Sequence, residues 1–165
     1  MRVGLVSDTH GRFDAALPGL FQGCDLVVHA GDVVGQEILH QLGAIAPVEA
    51  VRGNCDTGAL GAGLQEQRVL RLDGLTALVV HDARNADQAV ASAIAQLVIH
   101  GHSHVPGAGL KGGVLFVNPG SAGTRRCNLP RSAGRLTVHG RRVQVELLDL
   151  EARGMPLAEP AEFAL

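Results

Sequence analysis

The sequence predicts a mixed α/β fold in a single domain, and three observations predict it. Short β-branched runs closed by turn residues alternate with helical segments through the first part of the chain. Two alternating runs on either side of a Gly-Arg turn follow later and read as an antiparallel hairpin. The apolar content of 46% over 165 residues is enough for a real core, and a chain of this length buries roughly two thirds of its unfolded surface.

Taken in order, Arg2–Val6 is the first strand and a short helix is expected over Asp14–Gln22, with Pro18 in its first turn. Asp25–His29 is the second strand, Gln36–Leu42 a short helix, and Val48–Val51 a third strand. The glycine-rich stretch Thr57–Gly63 reads as loop. Strands return at Val69–Leu72, Ala77–Val80, Leu97–His100 and Val114–Val117, with an alanine-rich helix over Ala86–Ala95. Gly134–His139 and Arg142–Leu148 form the hairpin. The expected division is a domain over 1–150 and a loosely docked tail over 151–165 that carries Pro156 and Pro160. Early βαβα and late hairpins imply a mixed sheet system without an internal repeat.

Composition narrows the function. The core is aliphatic, with four Phe, no Tyr and no Trp. A net charge of −2 from 14 basic and 16 acidic residues is no nucleic-acid footprint, since phosphate tracking needs clustered Lys and Arg. The pairs Arg125–Arg126 and Arg141–Arg142 read as solvated surface. Met1–Val6 meets Asp8 before a targeting segment can form, and no run approaches the ~20 apolar residues of a membrane span. Cys24, Cys55 and Cys127 are scattered without a CxxC, which fits a reducing cytoplasm.

What lies just beyond the strands carries the chemistry. Asp8 and His10 follow the first strand, Asp32 the second, Asn54 the third and His81 the fourth; "HGHSH" closes the fifth with His100, His102 and His104. In a parallel α/β sheet such carboxyl ends share one edge, where ligands bind. Singly, each has a plainer reading: Asp8 and Asp32 as helix N-caps, Asn54 as a turn residue, His81 as a core-edge histidine. His29 and His40 read as structural, and His139 sits at a hairpin tip. Alternate residues of an extended segment share a face, so His102 and His104 point together. Asp8, His10, Asp32, Asn54, His81, His102 and His104 are too many for one tetrahedral ion. Two ions sharing Asp32 use them economically, and a metal pair is suited to in-line displacement at phosphorus.

These residues sit in "SDTHG" (Ser7–Gly11), "HAGD" (His29–Asp32), "RGNCD" (Arg52–Asp56), the lone His81, "GHSH" (Gly101–His104) and "NPGS" (Asn118–Ser121). In that order, over Met1 to about Leu148, the chain resembles the calcineurin-like metallophosphoesterases, specifically their small single-domain bacterial and archaeal phosphodiesterase group. The resemblance implies a four-layer α/β/β/α sandwich of two mixed sheets rather than a three-layer fold. It implies that Asp8, His10 and His104 hold one ion, that Asn54, His81 and His102 hold the other, and that Asp32 bridges them. It makes His100 structural, Asp56 a support for the Asn54 turn, and Asn118 with Ser121 loop-building groups. Asp32, Asn54 and His81 are then the catalytic set, with Mn favoured over Fe, Ni, Zn or Mg.

The implied reaction is hydrolysis of phosphodiesters, or of phosphomonoesters, in small or nucleotide-like substrates. The expected molecule is a cytoplasmic monomer or homodimer with no membrane or nucleic-acid partner. The chain departs from the pattern twice. Larger relatives place histidine where this chain has Cys55, a poor proton donor to an alkoxide at a reference pKa near ~8.5. After His81, where many relatives continue with glycine, this chain has "DARN", which places Asp82 and Arg84 at the mouth, with Arg84 able to meet a phosphate. The alternative is a catalytically weak scaffold of the same fold that binds proteins, which filled ligand positions argue against.

Overall fold

The structure, a computed structural model, describes residues 1–86, 95–126 and 128–165. In chain order it runs β1 (Arg2–Val6), α1 (Leu17–Leu20), β2 (Leu26–His29), α2 (Gln36–Gly43), β3 (Val48–Ala50), α3 (Gly58–Gly63), β4 (Gln67–Leu72) and β5 (Leu75–Val80). A 3-10 turn at Ala83–Asn85 precedes β6 (Leu97–Ile99), β7 (Gly107–Lys111), β8 (Val114–Asn118), β9 (Ser132–His139), β10 (Arg142–Asp149), β11 (Met155–Pro156) and β12 (Ala161–Ala164). Two mixed sheets result. One has the order β11-β10-β9-β1-β2-β3 with β12 also on β10; the other has the order β4-β5-β6-β8-β7. β1, β2 and β3 are mutually parallel, as are β5, β6 and β8, so five of the predicted strand ends do gather along one edge.

The side-chain period of two explains the layers. Val3, Leu5, Val28, Leu136, Val138 and Val143 of the first sheet meet Ala77, Val79, Leu97, Ile99, Leu115 and Val117 of the second in one buried cluster. The opposite face of the first sheet, with Val6, Val27 and Ala133, is covered by Leu17, Phe21, Ile38 and Leu42 from α1 and α2. The opposite face of the second presents Leu78, Val80, Val98 and Val114 to Ala86 and Ala95. This is the α/β/β/α sandwich that the resemblance implied; the helix expected over Ala86–Ala95 falls largely on residues 87–94, outside the described residues.

Several expectations change in detail. The Asp14–Gln22 helix contracts to Leu17–Leu20, because Pro18 sets its start and the Asp14 carboxylate takes the Ala16 N–H at 2.9 Å. Thr57–Gly63 is not loop but opens α3, with Thr57 at its N-cap. Three glycines in six residues disfavour a helix, yet a Cβ at Gly61 would overlap the Asp56 carbonyl, so packing chooses the residue. β7, absent from the sequence reading, pairs antiparallel with β8. The tail is docked rather than loose: β12 pairs with β10 from Arg142↔Ala164 to Val145↔Ala161, and β11 holds Leu148 and Asp149. The β9–β10 hairpin has the expected two-residue turn, with Gly140 at a φ of 56°.

His29 closes β2 and fastens two of the site loops. It is fully buried; its Nδ1 accepts the Gly31 N–H at 3.2 Å, so Nε2–H donates to Thr9 Oγ1 at 3.0 Å. Thr9 passes its own hydrogen to the Val33 carbonyl at 3.1 Å. Burial, reinforced by the nearby His81, lowers the His29 pKa to about 3. His40, by contrast, is exposed on α2 beside Glu37 and supports no core.

Leu115→Ala, in the fully buried layer between the sheets, should cost about 2–5 kcal/mol, read from urea unfolding. His29 makes a second prediction through linkage. With a folded pKa below the unfolded value near 6.5, the unfolded chain binds the extra proton, so the contribution is complete above pH 6.5 and declines toward pH 3. Between pH 7.5 and pH 5 the metal-free protein should lose about 2 kcal/mol more than His29→Gln. Equal losses in urea titrations of the two proteins would refute the assignment.

Candidate metal centre

Backbone conformation places the predicted residues before any side-chain contact does. Asp8 (φ 53°), His10 (47°), Asp32 (55°), His102 (67°) and His104 (61°) all adopt the left-handed region. That region is sparsely used by residues other than glycine, although Asp and His tolerate it better than most. Each such turn swings a side chain from the end of its strand back over the sheet edge. Five of the eight non-glycine residues at positive φ among the described residues gather at this edge, so the site concentrates backbone strain.

Asp8 is wholly buried. Its Oδ2 accepts from Ser7 Oγ at 2.6 Å and from the His102 N–H at 3.1 Å. Its carbonyl accepts from Ser121 Oγ at 2.9 Å and from the Gly123 N–H at 3.1 Å. Its Oδ1 is buried without a hydrogen-bond partner, as is His10 Nε2. His104 Nε2 lies 3.1 Å from that same Oδ1, and the His10 and His104 rings stack with centroids 5.4 Å apart. Ligand atoms of Asp8, His10 and His104 all lie within 4.8 Å of one another. Close approach demands Gly101 here, since a Cβ would overlap Ser7 Oγ and sit 2.6 Å from Asp8 Oδ2.

A second cluster adjoins the first. His81 donates Nδ1–H to the Ala30 carbonyl at 2.8 Å, so its Nε2 faces inward. That Nε2 is 3.2 Å from Asn54 Oδ1, 3.3 Å from His102 Nδ1 and 3.5 Å from Asp32 Oδ2. His102 Nδ1 is 3.0 Å from Asn54 Oδ1. Asp32 belongs to both neighbourhoods: its Oδ2 is also 3.8 Å from His10 Nε2, while its Oδ1 is fixed by the Cys55 N–H at 2.7 Å. Asp8, Asp32 and His81 again offer ligand atoms within 4.8 Å of one another.

Electrostatics follow from this crowding. Burial penalises the Asp32 carboxylate, but the contacts from His81 and the Cys55 N–H hold its pKa well below the ordinary range. Burial likewise opposes charge on His81, yet Asp32 and the Ala30 carbonyl outweigh it and raise the pKa. Burial lowers the His104 pKa, against the pull of Asp8, and so favours the neutral ring, the form in which an imidazole can bind a metal. The donor set of carboxylate oxygen, amide oxygen and imidazole nitrogen suits a divalent ion. Asp8 Oδ1 and His10 Nε2 are buried without a hydrogen bond and converge with His104 Nε2, an arrangement a cation would satisfy, so these residues fit a metal.

All seven predicted residues are thus brought together. Asp8 and Asp32 cap no helix, since the N-caps of α1 and α2 are Ala16 and Gly35. His100 stands outside the cluster, edge-on to Phe116 at 6.2 Å and lowered in pKa by burial. Asp56 spans the loops, its Oδ1 taking the Val34 N–H and its Oδ2 the Gly53 N–H, each at 2.8 Å. Asn118 ties Gly101 O and Ser103 Oγ together, each at 2.9 Å. Arg84, expected to face a phosphate, is clamped on Asp82 and reaches His102. The sequence reading gave no role to Ser7, although it stands in the quoted motif. It also missed Arg131, which is 7% exposed, pairs with Asp14 and donates to Ala122 O at 2.9 Å behind the Asp8 loop. An arginine opening a β-strand pattern carries no signal that it is buried.

Beside the second cluster opens a cleft of about 530 Å³, lined among others by Arg52, Asn54, His81, Asp82 and Asn85. Among the described residues no helix is long and apolar enough to cross a membrane.

Residues 1–141 match the family model of the calcineurin-like phosphoesterase superfamily domain. The chain is 31% identical to a probable metallophosphoesterase of Methanocaldococcus jannaschii, covering 96% of this chain and 83% of that one. It superposes on a predicted phosphoesterase of Streptococcus pneumoniae with a TM-score of 0.78 at 25% identity, over 99% and 97% of the two chains. With Vacuolar Protein Sorting 29 of Cryptosporidium parvum the TM-score is 0.82 at 22% identity, over 99% and 98%; this likeness concerns the fold. The seven-residue cluster at the strand ends therefore sits in a chain that belongs to the calcineurin-like phosphoesterase superfamily.

Proposed function

We propose that this chain is a two-metal hydrolase of small phosphoesters, with phosphodiesters ahead of monoesters. Asp8, His10 and His104 hold one divalent ion; Asn54, His81 and His102 hold the other; Asp32 serves both. The observation that carries the reading is the pair of adjoining acceptor clusters, with Asp8 Oδ1 and His10 Nε2 buried and unpartnered. When bound, the ions supply Lewis acidity and acidify water to near-neutral pKa. The set of four imidazole nitrogens and three side-chain oxygens accepts Mn, Fe, Ni, Zn or Mg, and Mn is the ion favoured here. Free Cys24 and Cys55 accord with a reducing, cytoplasmic setting.

The protein's own groups do the positioning. Ala30 fixes the His81 ring, the Cys55 N–H fixes Asp32, and Ser7 with the His102 N–H fixes Asp8. Asn54, exposed at the cleft, turns its Oδ1 toward His81 and His102 while its Nδ2 donates to Cys55 Sγ at 3.3 Å. A cleft of this volume matches a small substrate. Burial and the Asp32 carboxylate push the Cys55 thiol up, so it is a weak partner for a departing alkoxide. Esters whose leaving group departs without a proton, such as phenolates, should turn over best.

The decisive experiment strips the protein with chelator, then assays apo and reloaded samples on aryl phosphodiester and aryl phosphomonoester while counting bound ions. Two ions per chain and diesterase activity restored by Mn are expected, with kcat reduced about 100-fold or more in Asp32→Asn. Two ions without hydrolysis of either ester would replace the enzyme by the protein-binding scaffold. Fewer than two ions would remove the mechanism.

Metal should also stabilise the fold, because the clusters are completed only in the native state. At a free ion concentration of 100 Kd the gain is about 2.7 kcal/mol, or roughly 5–10 °C in Tm, read by calorimetry with and without chelator. Asp8→Asn should abolish most of that increment.

A further inference from the structure

Two of the clustered histidines differ in how their outer nitrogen is held. His81 is locked by a carbonyl, which can only accept, so its inward nitrogen is always free of hydrogen in the neutral ring. His102 has no such lock. Its outer Nε2 faces two side chains of opposite preference: Arg84 Nη2, which can only donate, at 3.2 Å, and Asp82 Oδ2, which as a carboxylate can only accept, at 3.6 Å. While Arg84 donates to Nε2, the neutral ring must carry its hydrogen on Nδ1. There it is used at once, in a 3.0 Å bond to Asn54 Oδ1. That tautomer turns an N–H, not a lone pair, toward the second cluster.

We propose that Asp82 and Arg84 compete for Nε2 of His102 and thereby set which ring nitrogen carries its hydrogen, making Asp82 a positioning residue for the second ion and Arg84 its opponent. The inference rests on the two-metal reading and adds a control to one of its sites. Loading the ion needs the Nδ1 lone pair. The hydrogen must then sit on Nε2, where it repels the Arg84 N–H and is accepted by Asp82, giving the carboxylate–histidine–metal arrangement that orients ligands and raises their basicity. Arg84 need not leave Asp82, because its Nε stays 3.0–3.1 Å from both carboxylate oxygens. It needs only to withdraw Nη2 from the ring. The arginine side is 78% exposed and the carboxylate 14%, so the group that must move is the mobile one. His102, at 37% exposure, can exchange its proton with solvent.

The test uses opposite signs. Manganese is titrated into wild type, Arg84→Ala and Asp82→Asn, and the two binding events are resolved by calorimetry. Asp82→Asn should weaken the second ion about 10- to 100-fold and leave the first within twofold, whereas Arg84→Ala should tighten the second. In parallel, long-range ¹⁵N–¹H spectra of the metal-free proteins read the His102 tautomer. Wild type should show hydrogen on Nδ1, and Arg84→Ala should shift it to Nε2. Equal second-ion affinities in the three proteins would overturn the proposal, as would an unchanged tautomer in Arg84→Ala. If no variant bound a second ion, the two-metal reading would fail and the tautomer spectra alone would decide the competition.

Discussion

The structure depends on the burial of one carboxylate. Asp8 is fully enclosed, and an ionised carboxylate taken from water is costly unless its lone pairs are met. The fold meets them unevenly. One oxygen receives the Ser7 hydroxyl and the His102 N–H; the other receives no hydrogen bond. The backbone of the same residue is bound by Gly31, Ser121 and Gly123. Asp8 is therefore the knot between the loops after β1, β2, β6 and β8, which belong to both sheets. An isostere without charge would keep the knot and lose the reason for the empty oxygen.

The two clusters are unequal for the same reason. Around Asp8 the clustered side chains are mostly buried, and the Asp8 carboxylate is fixed by the Ser7 hydroxyl and the His102 N–H. In the second cluster His81 is buried, whereas Asn54 and His102 are more open and lie at the cleft, where Arg84 of the "DARN" segment reaches His102. A buried cluster thus stands beside a more open one. Asp32, locked by the Cys55 N–H, couples the two.

Much of this was legible in the sequence, for a physical reason. Parallel strands must bury both faces, so they read as apolar runs, and whatever follows them is forced to the same edge. That placed Asp8, His10, Asp32, Asn54, His81, His102 and His104 together before any coordinates did. Elements decided by partners rather than by their own residues were not legible. β7, "GAGLK", lacks the apolar run of a strand; the Gly112-Gly113 turn, with both glycines at positive φ, folds it onto the edge that β8 offers. α3, "GALGAG", is a helix that packing imposes. β12 alternates over only four residues and is fixed by β10. Arg131 was invisible because burial of a charge depends on the partners it meets, and its carboxylate partner, Asp14, lies 117 positions away.

The place of β1 in its sheet has a consequence for the order of folding. β1 lies between β2, which follows soon after, and β9, and the Met1 ammonium bonds the Val138 carbonyl 137 positions away. Contacts of that separation close late, because the loop entropy must be spent before they form. On a ribosome the first half of the chain can pair β1, β2 and β3 as a half-sheet, but the knot at Asp8 waits for Ser121 and Gly123, and the bare β1 edge waits for β9. Until then the first histidines and aspartates are exposed on separate loops without the geometry that selects an ion. The cluster around Asp8 is thus completed late, and a nascent chain stalled before β9 would present an unpaired β1 edge to its neighbours.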